Sequence, residues 1–287
     1  MLTAEERVVF HGLACFSSGF TLEAAEHICA DDRLGIGQLD VMELLASLVS
    51  QSLVMSPPPD APRPRYALLR TVADYARERL EQGGRAESAR ARHAEFYAAM
   101  AEERAGALRG ADQASWLERL ADEHDNLLAA IDWALAARPR VALRLCGSLS
   151  DYWHRRGHWS SGRCRLEASL AATAPDASPE RLRALMAAGI LARLQCDYPA
   201  AAAHHREAQR IQRETGDSSG AAATLRELGS IAEERGDQHE ARRLYRESLE
   251  LCRSSDDRWG AAAALNNLGI LADHSGCPSD ARPLLEE

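Results

Sequence analysis

The chain has 287 residues, 46% of them hydrophobic, with 43 acidic and 34 basic side chains and a formal net charge of −9. Arginine supplies every basic charge; the absence of lysine excludes lysine nucleophiles, Schiff-base chemistry and a complete phosphate-binding loop of the form G-x-x-x-x-G-K-[ST]. The acidic balance makes the chain a poor holder of polyanions, and without an apolar run of about 18 residues no membrane span is expected.

The opening "MLTAEERVVF" lacks the positive-then-apolar pattern of a secretory leader. The seven cysteines, at 15, 29, 146, 164, 196, 252 and 277, form no C-x-x-C and read as buried thiols in a reducing compartment, so a cytoplasmic location is expected. Thr3 caps a first helix over "TAEERVVFHGLACF", with Glu6 in the capping-box position. "TLEAAEHIC" and "QLDVMELLASLVSQ" are two further helices; "SLVMS" and "RYALL" are short strands around the proline loop "PPPDAPRP"; "TVADYARERLEQGG" is a helix ending at Gly83. Three helices, a hairpin and a helix over 1–82 describe a winged-helix-like module. Its third helix would read DNA, yet it offers Asp40 and Glu43 and no arginine, and 1–82 holds twelve acidic against seven basic residues. Direct DNA binding by this module is therefore not expected, since phosphate and base contacts need positive or amide side chains. Gly35 and Gly37 in "RLGIGQ" form a loop between helices.

Residues 83–176 read as a helical linker and degenerate repeat region. "RAESARARHAEFYAAMAEERAGAL" is helical, and "DQASWLERLADEHDNLLAAIDWAL" holds two helices burying Trp116, Leu117, Leu120, Leu127, Leu128, Ile131 and Leu135. In "DEHDN", Asp122 and Asn126 share a helix face while Glu123 and His124 point away, so an acidic first turn is expected rather than a metal or catalytic set. "VALRLCGSLSDYWHRRGHWSSGRCRLEASL" is a helix pair turning at Arg156-Gly157, and Ser178 with Pro179 starts the next helix.

From 177 to 287 the chain repeats. Gly189, Gly229 and Gly269 are 40 residues apart, as are Ala201, Ala241 and Ala281, and Asp217 and Asp257. Within each unit two helical patterns flank a turn; Asp237 caps a second helix with Glu240 in the capping-box position. Gly229 and Ala241 let paired helices approach closely. His204 and His205 in "AHHREA" are neighbours that cannot converge on a metal, and solvated helix surface is the expectation for them. The chain stops at "DARPLLEE", inside a second helix, where a solenoid normally has a polar cap; a truncated last repeat is expected.

Leu228-Gly229, Ala241 and Tyr245, then Leu268-Gly269, Ala281 and Leu285, and less closely Ala188-Gly189, Ala201 and His205, resemble the tetratricopeptide repeat, with a period longer than its usual one. Together with "FSSGFTLEAAEHIC", "LLASLVSQSLV", "RYALLRTVADYARERL", "RHAEFYAAMAEE" and "DEHDNLLAAIDWAL", the whole chain resembles the C-terminal half of bacterial regulators built on STAND-type ATPases, of the LuxR-like and AfsR-like kinds. The resemblance implies a mainly α fold, a winged-helix-like module followed by an α-solenoid. It also implies that the repeats sense a ligand or protein and that the winged helix helps hold an ATPase closed around ADP. ATP or ADP would enter only through an ATPase domain in cis or in trans; the chain itself is expected to need no cofactor and to hold no metal or catalytic residue. By register with the Met-His-Asp sensor of related NB-ARC proteins, Leu68, Leu69 and Arg70 stand at that contact; the histidine is missing, and Arg70 is a candidate interdomain residue.

Partner binding is expected along the first helix of each pair: Arg183, Met186, Ile190 and Arg193, then Arg226, Ser230 and Glu233, then Asn266, Ile270 and Asp273, where Arg and Asn would hold carboxylates or main-chain groups of a protein or peptide, or a small effector. Arg155, Arg156, Arg163 and Arg165 in "HRRGHWSSGRCR" are a second candidate, for an anion or acidic partner, and Trp159 and Trp259 are expected to fill gaps between repeats. A regulatory interaction module leads; a standalone scaffold or adaptor and a DNA-binding regulator are the alternatives.

Overall fold

The computed structural model describes residues 1–31, 34–58, 60–105 and 113–274. It is almost wholly helical and divides into two compact units, Met1–Tyr152 and Trp153–Glu287.

In the first unit, α1 (Ala4–Gly12) starts with the expected reciprocal cap between Thr3 and Glu6, then tightens into a helical turn at Leu13–Cys15. Next come α2 (Leu22–Cys29), α3 (Gln38–Ser50) and α4 (Arg70–Gln82). Where two strands are expected, the chain makes isolated antiparallel bridges: Met55 pairs with Ala67, and Phe20 with Tyr66. The ladder stays this short because the prolines at 57, 58, 62 and 64 give no N–H to extend it, and because the amides of Leu53 and Val54 bond back to Leu48 at the end of α3. α4 ends at Gly83 as expected, with Gly84 in the left-handed region.

The same unit continues through α5 (Ala86–Ala105), α6 (Gln113–Asp122), α7 (His124–Ala137) and α8 (Pro139–Ser148) and into α9 (Ser150–Arg156). Leu120, Leu127 and Ile131 are buried, whereas Trp116, Leu117, Leu128 and Leu135 are only half-buried. The expected geometry of "DEHDN" is corrected here. The helix breaks at Glu123, and Glu123 and Asn126 converge in a buried polar knot. The Asn126 Oδ1 accepts from the Ser17 and Ser18 amides at 2.9 and 3.3 Å. Its Nδ2 donates to the Gly19 carbonyl at 3.0 Å and to Glu123 Oε2 at 2.8 Å. Tyr97 donates to the same oxygen at 2.7 Å, and Arg65 donates to Glu123 Oε1 and the Gly19 carbonyl. Loop 16–20, the bridge segment at 65–67, α5 and α7 are thus pinned at one point, with Phe16 and Phe20 stacked beside it at 4.5 Å.

The second unit holds the rest of α9, α10 (Trp159–Ala172), α11 (Pro179–Leu194), α12 (Tyr198–Thr215), α13 (Ser218–Glu234), α14 (Gln238–Ser254) and α15 (Arg258–His274). Consecutive helices pack against each other as a regular series of pairs. The turns recur every twenty residues, half the sequence period. Cys196, Gly216, Gly236 and Asp256 are all left-handed, with φ of 59°, 71°, 82° and 56°. Each is followed by an aspartate, Asp197, Asp217, Asp237 or Asp257, whose Oδ1 accepts from the amide three residues on at 3.2, 2.9, 3.0 and 2.8 Å. The αL residue closes one helix and the aspartate caps the next, so every junction is a sharp reversal. Ser178 caps α11 as expected.

Between paired helices, glycine faces a ring. A Cβ on Gly229 would lie 2.5 Å from the Tyr245 ring, and one on Gly189 2.5 Å from the His205 ring. In the α9–α10 pair the roles are exchanged: the ring, Trp153, is on the first helix and Gly162 on the second. Ala201 and Ala241 are fully buried. Ala281 and Leu285, the matching positions of the next unit, lie outside the described residues. Around Tyr245 the core gathers Leu225, Leu244, Leu249, Leu265 and Leu268.

Burial corrects the expectations for one histidine, one tryptophan and several cysteines. His205 is fully buried and serves as the ring against Gly189, because its place in the repeat is that of Tyr245. Trp259 is 77% exposed and fills no gap, whereas Trp159 is half-buried with its Nε1 donating to the His154 carbonyl. Cys164 and Cys196 are exposed thiols and Cys15 is half-buried, in contrast to Cys29, Cys146 and Cys252. Cys277 lies outside the described residues.

Two outcomes follow. Gly229→Ala would gain about 1 kcal/mol of helix propensity but force the Tyr245 ring aside, at about 1–3 kcal/mol. Urea unfolding should show net destabilisation, relieved when Tyr245→Leu is added, with a coupling energy above about 0.5 kcal/mol; additive effects would refute the contact. Asn126→Ala strips partners from two amides, a carbonyl and a carboxylate, and at about 1–3 kcal/mol per stranded buried group should lower the stability of the first unit by more than any other single truncation on its surface or loops. Loss below about 1 kcal/mol would show that the knot does not hold.

Candidate functional site

The expected partner face is carried by α11, α13 and α15. Arg183 is exposed, 3.9 Å from Glu180 one turn back. Met186 is half-buried, and its sulfur accepts from the Thr224 hydroxyl at 3.2 Å, which couples α11 to α13. Arg193 makes a second cross-link: its Nη1 is 2.5 Å from Glu234 Oε1 and its Nε 3.5 Å from Glu227 Oε2. Glu233 accepts from the Tyr245 hydroxyl at 2.9 Å and faces His274 Nδ1 at 3.3 Å, while Ser230 Oγ shares a hydrogen bond with Tyr245 at 3.1 Å. Asn266, Ile270 and Asp273 lie exposed on α15.

The middle of this face, at Arg193, Arg226 and Glu227, is electrostatically unfinished. Arg193 Nε, Arg226 Nη1 and Glu227 Oε2 are shut off from water, yet none has a hydrogen-bond partner. The Arg193–Glu227 approach is an ion-pair distance outside hydrogen-bond geometry. Burial pushes the Glu227 carboxyl up against the opposing pull of Arg193 and Arg226. Glu227 was not among the expected residues. Its neighbour Arg226 follows from helix spacing along the expected face, whereas what marks Glu227 is its cross-repeat approach to Arg193, which sequence spacing within one helix does not reveal.

The second candidate is partly taken up by the fold. Arg163 is committed to structure: it holds Glu167 at 2.8 Å, Gln195 at 3.1 Å and the capping Asp197 at 2.6 Å, so it ties α10 to the turn before α12. Arg165 donates to Ser161 Oγ at 2.8 Å, and Arg155 and Arg156 are exposed. His204 lies 3.5 Å from Glu167. In the first unit Arg70 opens α4 on the surface, next to exposed Leu69 and half-buried Leu68. The outer side of α3 shows Leu39, Met42 and Glu43, not cations. Among the described residues no group of three or more His, Cys, Asp or Glu is placed to hold a metal ion, and no described helix is long and apolar enough to cross a membrane.

His205, beneath this face, has both ring nitrogens buried without partners, and burial lowers its pKa from 6.5 to about 4, helped by His204 and Arg193. Below pH 6.5 the unfolded chain binds this proton and the folded chain does not, so stability should fall as pH drops from about 6.5 to about 4. His205→Leu should flatten that dependence in the second unit, read as urea midpoints across this range; His93, lowered to about 4 by burial, should give the first unit its own slope. An unchanged slope in the variant would contradict the burial of His205.

Residues 2–81 match the family model of the winged helix-turn-helix domain, and residues 180–254 and 220–287 match that of the tetratricopeptide repeat. A Mycobacterium tuberculosis (strain H37Rv) protein that carries the name of an HTH-type transcriptional regulator is 35% identical over 163 residues, which is 56% of this chain and 18% of that one. An uncharacterized protein of the same strain is 33% identical over 93 residues, 32% of this chain and 23% of that one. Among solved structures, BtubC (BKLC) from P. vanneervenii superimposes with a TM-score of 0.50 at 16% identity, over 69% of this chain and 86% of its own. A Signal Transduction ATPase with Numerous Domains protein with a tetratricopeptide repeat sensor, from Pyrococcus horikoshii, has a TM-score of 0.49 at 14% identity, over 100% of this chain and 50% of its own. The chain spans 18% of the length of the curated regulator it matches. It joins a winged-helix-like module to tetratricopeptide-like repeats and is related to bacterial HTH-type regulators.

Proposed function

We propose that this chain is the sensing part of a STAND-type transcriptional regulator, and that the α11–α13–α15 face binds a protein or peptide whose capture biases an attached ATPase between closed and open states. The observation that carries this reading is the trio of water-excluded atoms on Arg193, Arg226 and Glu227 that make no hydrogen bond, Arg193 Nε and Glu227 Oε2 meeting only at an ion-pair distance of 3.5 Å. Each stranded polar group costs about 1–3 kcal/mol, so a partner that supplies an acceptor to the arginines and a donor to Glu227 recovers energy the free arm lacks. Main-chain amides and carboxamides of an extended peptide offer both. The identity to a named regulator supports the regulatory setting.

In this reading 1–82 is a packing and hinge module, 83–176 a connector and 177–287 the sensing repeats. Nucleotide belongs to an ATPase domain, met in cis or in trans, with Arg70 beside it. The protein would work in the cytoplasm. A standalone scaffold would use the same face without the ATPase. The acidic, apolar outer side of α3 disfavours duplex DNA as its ligand.

The test is capture from the lysate of the chain's own host, with wild type and an Arg183→Glu/Arg226→Glu variant as bait. Loss of the captured partner by about tenfold or more, equivalent to about 1.4 kcal/mol, is expected with the helical content intact. Equal capture by both baits would reject this face.

A further inference from the structure

A groove of about 880 Å³ opens in the first unit, away from the repeat face. Its volume is that of a small-molecule site. One wall is the Phe96, Ala99 and Met100 stripe of α5, spaced as one helix face; the other is Trp116, Arg119 and Leu120 of α6. α6 packs mainly on α7, which leaves half-buried Phe96 and Met100 and exposed Ala99 on one wall and half-buried Trp116 with exposed Arg119 on the other, above buried Leu120. His27 lies against Phe96 with ring centroids 5.2 Å apart and extends the aromatic wall.

The polar groups around the groove decide what it would take. At its back, both oxygens of Glu123 are already used, one by Arg65 and the other by Tyr97 and Asn126, so the deep end offers no free acceptor. Arg63 is held between Glu118 and Asp122 at 3.3 and 3.1 Å. Arg92 donates to the Ile28 carbonyl at 2.7 Å and to Ser88 at 3.0 Å. Glu95 is paired with Arg144 at 2.9 Å, and Glu23 sits in the first turn of α2, where the helix dipole favours it. Arg119 differs: its guanidinium lies 4.6 Å over the Trp116 ring, with no carboxylate partner among the described residues.

We propose that this groove binds a small aromatic or bulky apolar carboxylic acid, its hydrocarbon body between Phe96 and Trp116 and its carboxylate on Arg119. The apolar walls supply the burial, and Arg119, a lining arginine without a carboxylate partner among the described residues, supplies the sign of the charge. The repeat face takes no part, so the site would give the regulator a second input.

Calorimetric titration of the full chain with 2-naphthoate, and with the neutral 2-naphthalenemethanol as the same ring without charge, tests it. One-to-one binding of the acid is expected, about tenfold tighter than the alcohol. Arg119→Gln should bring the acid down to the level of the alcohol. Ala99→Trp, at an exposed position, should fill the groove and abolish both, with an unchanged thermal midpoint showing that the fold persists. No acid binding at millimolar concentration, equal binding of acid and alcohol by the wild type, or acid binding that survives Ala99→Trp would each overturn the proposal.

Discussion

The contact between a glycine on one helix and a large ring on its partner sets the geometry of the second unit. At Gly189–His205 and Gly229–Tyr245 the approach leaves no room for even a methyl group. Fixing that distance fixes which faces of each pair remain for the next one, and therefore which residues line the partner face. The contact tolerates a change of ring chemistry, histidine for tyrosine, and in the Trp153–Gly162 pair an exchange of sides, because the constraint is one of volume. It does not tolerate a larger residue on the glycine side.

The junctions complement the contact. Left-handed residues at 196, 216, 236 and 256, each followed by a capping aspartate, turn the chain back after α11, α12, α13 and α14. Only two of the four are glycine. Aspartate tolerates this conformation at 256, whereas Cys196 adopts it against its intrinsic preference, held by the helices on either side. The cross-pair salt links at Arg163 and Arg193 then act along the series. Half-exposed pairs of this kind contribute little energy individually, so register and polarity of the surface are their larger effect.

Much of this was legible in the sequence. The 40-residue spacing of glycine and alanine located the paired helices, and the caps at Thr3 and Asp237 located helix starts, although Glu240 holds Arg243 and closes no capping box with Asp237. The twenty-residue aspartate series was equally visible in Asp197, Asp217, Asp237 and Asp257 but is masked by the non-glycine turn at Cys196. The Asn126 knot was not legible, since its partners at 17–19, 65 and 97 are distant in sequence and a helix break at Glu123 rotates the side chains away from ideal periodicity. His205 shows the opposite error: composition marks a histidine pair as solvent-facing, while its repeat position places one of the two in the core. At the candidate site, Arg193 and Arg226 followed from helix spacing, and Glu227 required knowledge of which helix lies across from it.

The central claim is that the glycine faces press on rings, and proton NMR reads this without perturbing the protein. The account predicts Gly229 Hα resonances shifted strongly upfield by the Tyr245 ring, with cross-relaxation between them, and the same for Gly189 with His205. Glycine Hα shifts at random-coil values, with no cross-peak to either ring, would contradict it.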